Sequence, residues 1–178
     1  RYDRQSFISR GFPGEKDYGV TFPTGYLFRD GNYLYQYYKG WPWTHQSYRT
    51  LSDEEKKNKT NWGKGYIGLA KHRIDGFVSL DAKLEEGTFI TPLIKFQGNK
   101  LVLNVNVSAM GYINVSILDE NNREIKKFSL DHSDKIIDNN TEYVVSWRGN
   151  SDLSSLSDQK IKLKFRMKSS KIYAFQFK

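Results

Sequence analysis

The sequence predicts an all-β protein: a C-terminal jelly-roll-like β-sandwich preceded by an N-terminal β-hairpin, a fragment of a different architecture. Three observations carry that expectation. Apolar residues recur with period two in short segments rich in β-branched and aromatic residues. Gly, Asn, Asp and Ser bound those segments. No long stretch shows the 3.6-residue period of an amphipathic helix.

In chain order, residues 1–50 come first. GYLFRDGNYLYQYYKGW (25–41) holds two strand-like runs joined by Arg29-Asp30-Gly31-Asn32, a hairpin turn. One hairpin in isolation is marginal, so this segment needs the downstream sandwich or further structure upstream. The single helix candidate is Leu51 to Lys59, where Ser52 and Glu55 have the spacing of a capping box. It has almost no apolar face, so it reads as a short surface turn or a mobile loop within a polar linker, 51–64.

The sandwich is expected over 65–178. Its strand-like runs are FVSL (77–80), TFITPLIKF (88–96), LVLNVNV (101–107), YINVSIL (112–118), YVVSW (143–147), IKLKFRM (161–167) and IYAFQF (172–177). Short strands at such spacing are the pattern of an antiparallel sandwich or jelly roll. Pro92 inside a strand-like run marks an edge or a bulge. Trp147, at the end of a run, is expected in the core.

Composition narrows the function classes. At 178 residues the chain has room for one domain, or one domain and part of a second. Aromatics at 15% and charged residues at 27% exclude a disordered chain. No apolar run approaches the roughly 18 residues that a membrane span needs. Cys is absent, which excludes disulfides, thiolate metal sites and Cys nucleophiles. The formal net charge is +8, but the cations are scattered. Lys160, Lys162, Lys164, Arg166 and Lys168 alternate with apolar residues, as one solvated strand face does. No recognised nucleic-acid module accompanies them, so no nucleic-acid partner is expected. The three His residues lack metal-ligand spacing, and the oxygen-rich turns at 119–122 and around Asp131, Asp134 and Asp138 lack that of an EF-hand. Neither metal nor cofactor is expected.

The stretch YYKGWPWTHQSY (37–48) crowds two Trp, three Tyr and a His around one Gly and one Pro. Rings at a turn need something to pack on them. Two readings are open. Trp41 and Trp43 could plug a seam by packing on another part of the structure, or they could form a platform for a flat ligand.

Several stretches taken in order carry a resemblance: RYDRQSFI (1–8), GEKDYGVTFPTGYLFRDGNYLYQYYKG (14–40) and GYIGLAKHRIDGFVSLDA (65–82). GNKLVLNVNV, ILDENNREI and SWRGNSDLSSLSDQKIKLKFRM follow. Together they resemble the closing region of five-bladed β-propeller glycoside hydrolases and their relatives, the glycoside hydrolase family 32-like group. The resemblance covers nearly the whole chain. It implies the end of a propeller, 65–82 as the crossover from the last propeller strand, and a C-terminal sandwich that is chiefly structural.

The same resemblance implies a carbohydrate partner, further propeller blades N-terminal to this chain, and a secreted or periplasmic bacterial setting. Glycoside hydrolysis usually needs two carboxyl groups across the scissile bond. The chain supplies at most one blade's share of the propeller funnel, so it is expected to be inactive alone. Asp17, in KDYG, is the candidate funnel acid or sugar-hydroxyl acceptor; the alternative is a turn-forming Asp. Tyr37, Trp41, Trp43, His45 and Arg4 are the candidate carbohydrate-binding residues. A non-catalytic carbohydrate-binding sandwich is the competing reading.

Overall fold

A computed structural model describes residues 6–44, 46–50, 52–58 and 65–178. The protein is all-β with two antiparallel sheets, and its chain divides into two compact units between Ile74 and Asp75.

The N-terminal unit is built on β3 (Tyr33–Trp41). One edge of β3 pairs with β1 (Val20–Pro23) and β2 (Phe28–Asp30), two pieces of one interrupted strand that turns back through Gly31 and Asn32. The other edge pairs in unbroken register with β4 (Tyr66–Arg73), from Tyr33↔Arg73 to Gly40↔Tyr66. This pairing corrects the expected boundaries. Residues 66–73 complete the N-terminal sheet instead of opening the sandwich, and 51–64 is an excursion between two neighbouring strands instead of a linker between units. It contains α2 (Asp53–Asn58), and α1 (Ser47–Thr50) precedes it. The remaining linker residues, 51 and 59–64, lie outside the described residues.

Alternation gives this sheet two unlike faces. Tyr33, Tyr35, Tyr37, Trp41, Phe22, Phe28, Ile67 and Leu69 share one face, together with Lys39 and Lys71. It stays open: Tyr37 is 50% exposed and Ile67 77%. On the other face Gln36 is buried and donates to the Thr24 carbonyl, and His72 stacks on Phe7 at 4.7 Å.

The C-terminal unit is one six-stranded sheet around one core. Its spine is the antiparallel pair β8 (Leu101–Leu118) and β10 (Lys160–Phe177). In chain order β5 (Leu80–Ala82), β6 (Gly87–Ile90) and β7 (Ile94–Lys95) all pair with β10. β9 (Asn139–Val144) pairs with the far edge of β8. LVLNVNV and YINVSIL, expected as two strands, are one, as are IKLKFRM and IYAFQF. At about 3.3 Å per residue such strands would be some 60 Å long if straight, against a radius of gyration near 13 Å for a domain of this size. Leu101 and Ile117 nevertheless belong to one core cluster. The sheet therefore curves back on itself, and that curvature makes the sandwich.

Irregularities in β10 allow the curve. Its pairing slips between Lys168 and Ser170 and again between Ile172 and Ala174. Ile161, Leu163, Phe165 and Met167 are buried at odd positions; after the first slip Ser170 and Ile172 are buried at even ones. After the second, Phe177 packs on the core at an odd position again. Each bulge shifts the side-chain phase by one, which keeps apolar residues inside through the bend. Trp147 lies in this core, 3% exposed, its indole N–H donating to the Val115 carbonyl at 2.8 Å.

On the solvent face, Lys162 donates to Asn122 at 2.6 Å and Lys164 pairs with Glu124 at 3.5 Å. The oxygen-rich turns serve local backbone: Asp119 accepts from the N–H groups of Asn121 and Arg123, and Asp134 from Ser146 and Gly149. No helix among the described residues is long and apolar enough to cross a membrane.

Candidate functional site

β3 ends at Trp41, whose carbonyl accepts the Gly19 N–H at 2.9 Å. Gly19 lies against the Trp43 backbone, where a Cβ would collide, so glycine is what permits this approach. The approach brings Tyr18 and Trp43 into one cavity of about 820 Å³, completed by Pro42 and Tyr66. Arg10, Glu15 and Lys16 are the charged residues among its described lining. The volume falls in the ordinary range for small-ligand sites.

Tyr66 joins the cavity to a hydrogen-bonded trio. Its hydroxyl lies 2.9 Å from that of Tyr38, which donates to Asp17 Oδ2 at 2.9 Å. Each ring stands over the glycine opposite it in the sheet, Tyr66 over Gly40 and Tyr38 over Gly68, positions where a Cβ would meet the ring. Hydrogen bonding from Tyr66, then from Tyr38 and two backbone N–H groups, holds the Asp17 carboxyl below the usual carboxylate range despite some desolvation. Desolvation and the carboxylate neighbour push the Tyr66 hydroxyl upward, so it stays neutral.

Among the sequence-derived candidates, Trp43 lines the cavity. Trp41 does not: its ring meets Phe22 edge-on at 5.6 Å, with Lys39 Nζ 4.4 Å from its centroid. Its indole N–H is buried against Gly65 and has no hydrogen-bond partner among the described residues. Tyr37 stands on the open face of the sheet beside Phe28, at 5.8 Å, away from the cavity. Asp17 is outside the lining and tied to Tyr38. His45 and Arg4 lie outside the described residues.

Sequence reasoning passed over Tyr18, Arg10, Glu15, Lys16 and Tyr66. The signal for three of them was GEKDYG itself, where charges and a ring flank Asp17. Nothing in the spacing tied that loop to Trp43; only the pairing of Val20 with Trp41 does so.

The described lining offers groups suited to holding a ligand. Aromatic side chains offer faces to a flat or puckered ring, and charged groups offer directional hydrogen bonds. The carboxylates of Glu15 and Asp17 both lie over Gly11, but both are engaged. Glu15 accepts the Phe12 N–H at 2.6 Å, and Asp17 is held ionised by its tyrosines. Asp17, held ionised, is not set up to give a proton to a leaving group. Among the described residues, no three His, Asp or Glu are grouped to hold a metal ion.

Comparison with known protein families, curated proteins and solved structures returned no match.

Proposed function

We propose that the chain is the C-terminal part of a glycoside-hydrolase-like propeller protein, and that its N-terminal unit contributes a carbohydrate-binding wall without the catalytic carboxyl pair. The observation that carries this reading is the cavity that Trp43 lines with Tyr18 and Tyr66 beside Arg10, Glu15 and Lys16. Aromatic rings next to charged hydrogen-bonding groups suit a sugar, whose C–H faces are apolar and whose edges are hydroxyls.

The sheet itself supports the propeller component. Every buried apolar side chain among the described residues lies between Phe96 and Ile172; the N-terminal unit buries none. Its open aromatic face has the character of a blade without its neighbours. The competing reading, a sandwich-borne binding module, has less support. The sandwich's surface cavities of about 210 and 440 Å³ hold a single ring, Phe175, between them.

A glycan array probed with the intact chain tests the proposal. Trp43→Ala should abolish the binding seen with the parent chain, whereas Trp41→Ala should lower the melting temperature instead. Aryl glycosides and sucrose-type substrates should show no turnover. Binding that survives Trp43→Ala would overturn the assignment of the site, and turnover lost in Asp17→Asn would overturn its non-catalytic character.

A further inference from the structure

Among the described lining residues of the cavity, the cations Arg10 and Lys16 outnumber the one acid, Glu15. Glu15 already accepts the Phe12 N–H, which is part of its own loop. Arg10 uses one guanidinium nitrogen in a long bond, 3.4 Å, to the Gly19 carbonyl. Neither Arg10 nor Lys16 pairs with a carboxylate among the described residues, although Lys95, Lys164, Lys171 and Lys178 elsewhere all do. A guanidinium with donors to spare matches a planar or tripodal oxyanion in a bidentate way, and a neighbouring ammonium adds a point charge.

Resting on the carbohydrate reading above, we infer that the cavity takes an anionic sugar residue, carrying a carboxylate or a sulfate ester, with the anion between Arg10 and Lys16 and the sugar ring against Trp43. A neutral sugar would make no use of the charge of either cation. A simple inorganic anion would leave the rings unused. The two halves of the lining together select the class.

Calorimetric titration of the intact chain with oligogalacturonate, its fully methyl-esterified form, a sulfated glycosaminoglycan disaccharide and neutral fructo-oligosaccharides tests this. The ester keeps the skeleton and removes the charge. The acid should bind at least tenfold more tightly than the ester, a ratio equivalent to about 1.4 kcal/mol. The preference should shrink as salt is raised. Arg10→Gln and Lys16→Gln should each erase most of it, while Arg10→Lys should keep part. A preference for the sulfated disaccharide over the galacturonate identifies sulfate as the anion and supports the same class. Equal binding of acid and ester, or a preference untouched by both Gln variants, overturns the inference and leaves carbohydrate binding intact. Binding by none of the four glycans overturns the inference and also removes its foundation. The acid-to-ester ratio is read on the unmodified chain, so it does not depend on any variant folding.

Discussion

Asp17 shows how one side chain can be prominent in the sequence and serve a purpose other than the one it suggests. It sits in a charged, aromatic loop, as an active-site acid often does. In the structure it is the acceptor that fastens the loop to the sheet through Tyr38. Its pKa is depressed, so its contribution to folding is fully present above the ordinary aspartate value of about 4 and is lost as pH falls through the lower folded value. Asp17→Asn should cost about 1 kcal/mol at pH 7, the low end for bonds to a charged group once solvent screening is allowed for. Melting curves between pH 7 and pH 2 should show the gap between parent and variant closing below about pH 4, on top of the acid loss that both share through Asp81, Asp134 and Asp152. Parallel losses in both proteins would assign the acid sensitivity to other carboxylates.

The two tryptophans make the related point about what sequence alone can reveal. Trp41 and Trp43 are two residues apart with the same chemistry, and the aromatic stretch stands out in the sequence. Which ring would line the cavity was not legible. Trp41 is the last residue of β3 and follows that strand's alternation onto the face of Phe22, whereas Trp43 lies past the strand end and escapes it. Tyr66 was illegible for a different reason: its place in the cavity depends on a strand pairing across some 25 residues.

At the level of elements, the period-two pattern identified most strands and misjudged their ends. Ser108-Ala109-Met110-Gly111 and Lys168-Ser169-Ser170-Lys171 look like turns because they are polar or small, yet they are bends within continuous strands. There Gly111 lies against the Ser169 carbonyl, and the Ser108 hydroxyl donates to that carbonyl at 2.7 Å. A turn and a bulge use the same residues; only the partner strand distinguishes them. Pro92, expected to mark an edge or a bulge, lies in the break between β6 and β7, both of which pair with β10.

How the ladder survives Pro92 gives a prediction. Thr91 sits at the break, buried; its N–H donates to the Leu163 carbonyl at 2.9 Å and its hydroxyl accepts the Leu163 N–H at 3.0 Å. Thr91→Val keeps the shape and leaves a buried amide unpaired, which should cost about 1–3 kcal/mol. Thr91→Ser retains the acceptor and should cost under about 1 kcal/mol for the missing methyl. Urea denaturation should show the Val variant with a lower midpoint and an unchanged slope. Equal midpoints for the two variants would mean that the hydroxyl bond contributes nothing net.

Across the whole molecule, the two units differ in how they are held. The C-terminal unit encloses its own core, while the N-terminal unit is fastened by strand pairing and by the Asp17 trio and leaves its aromatic face open. The all-β class was legible because alternation is a local signal. The division between the units was not, because 51–64 has the polar composition of a linker while the β3–β4 pairing bridges it. The proposed carbohydrate-binding wall belongs to the N-terminal unit. Heteronuclear NMR of the labelled chain, titrated with fructo-oligosaccharide and then with oligogalacturonate, tests it most directly. The Trp43 indole and the amides of Tyr18 and Tyr66 should shift in a saturable way with at least one glycan, while the Trp147 indole in the sandwich core stays still. Shifts confined to residues 75–178, or none with either glycan, would contradict it.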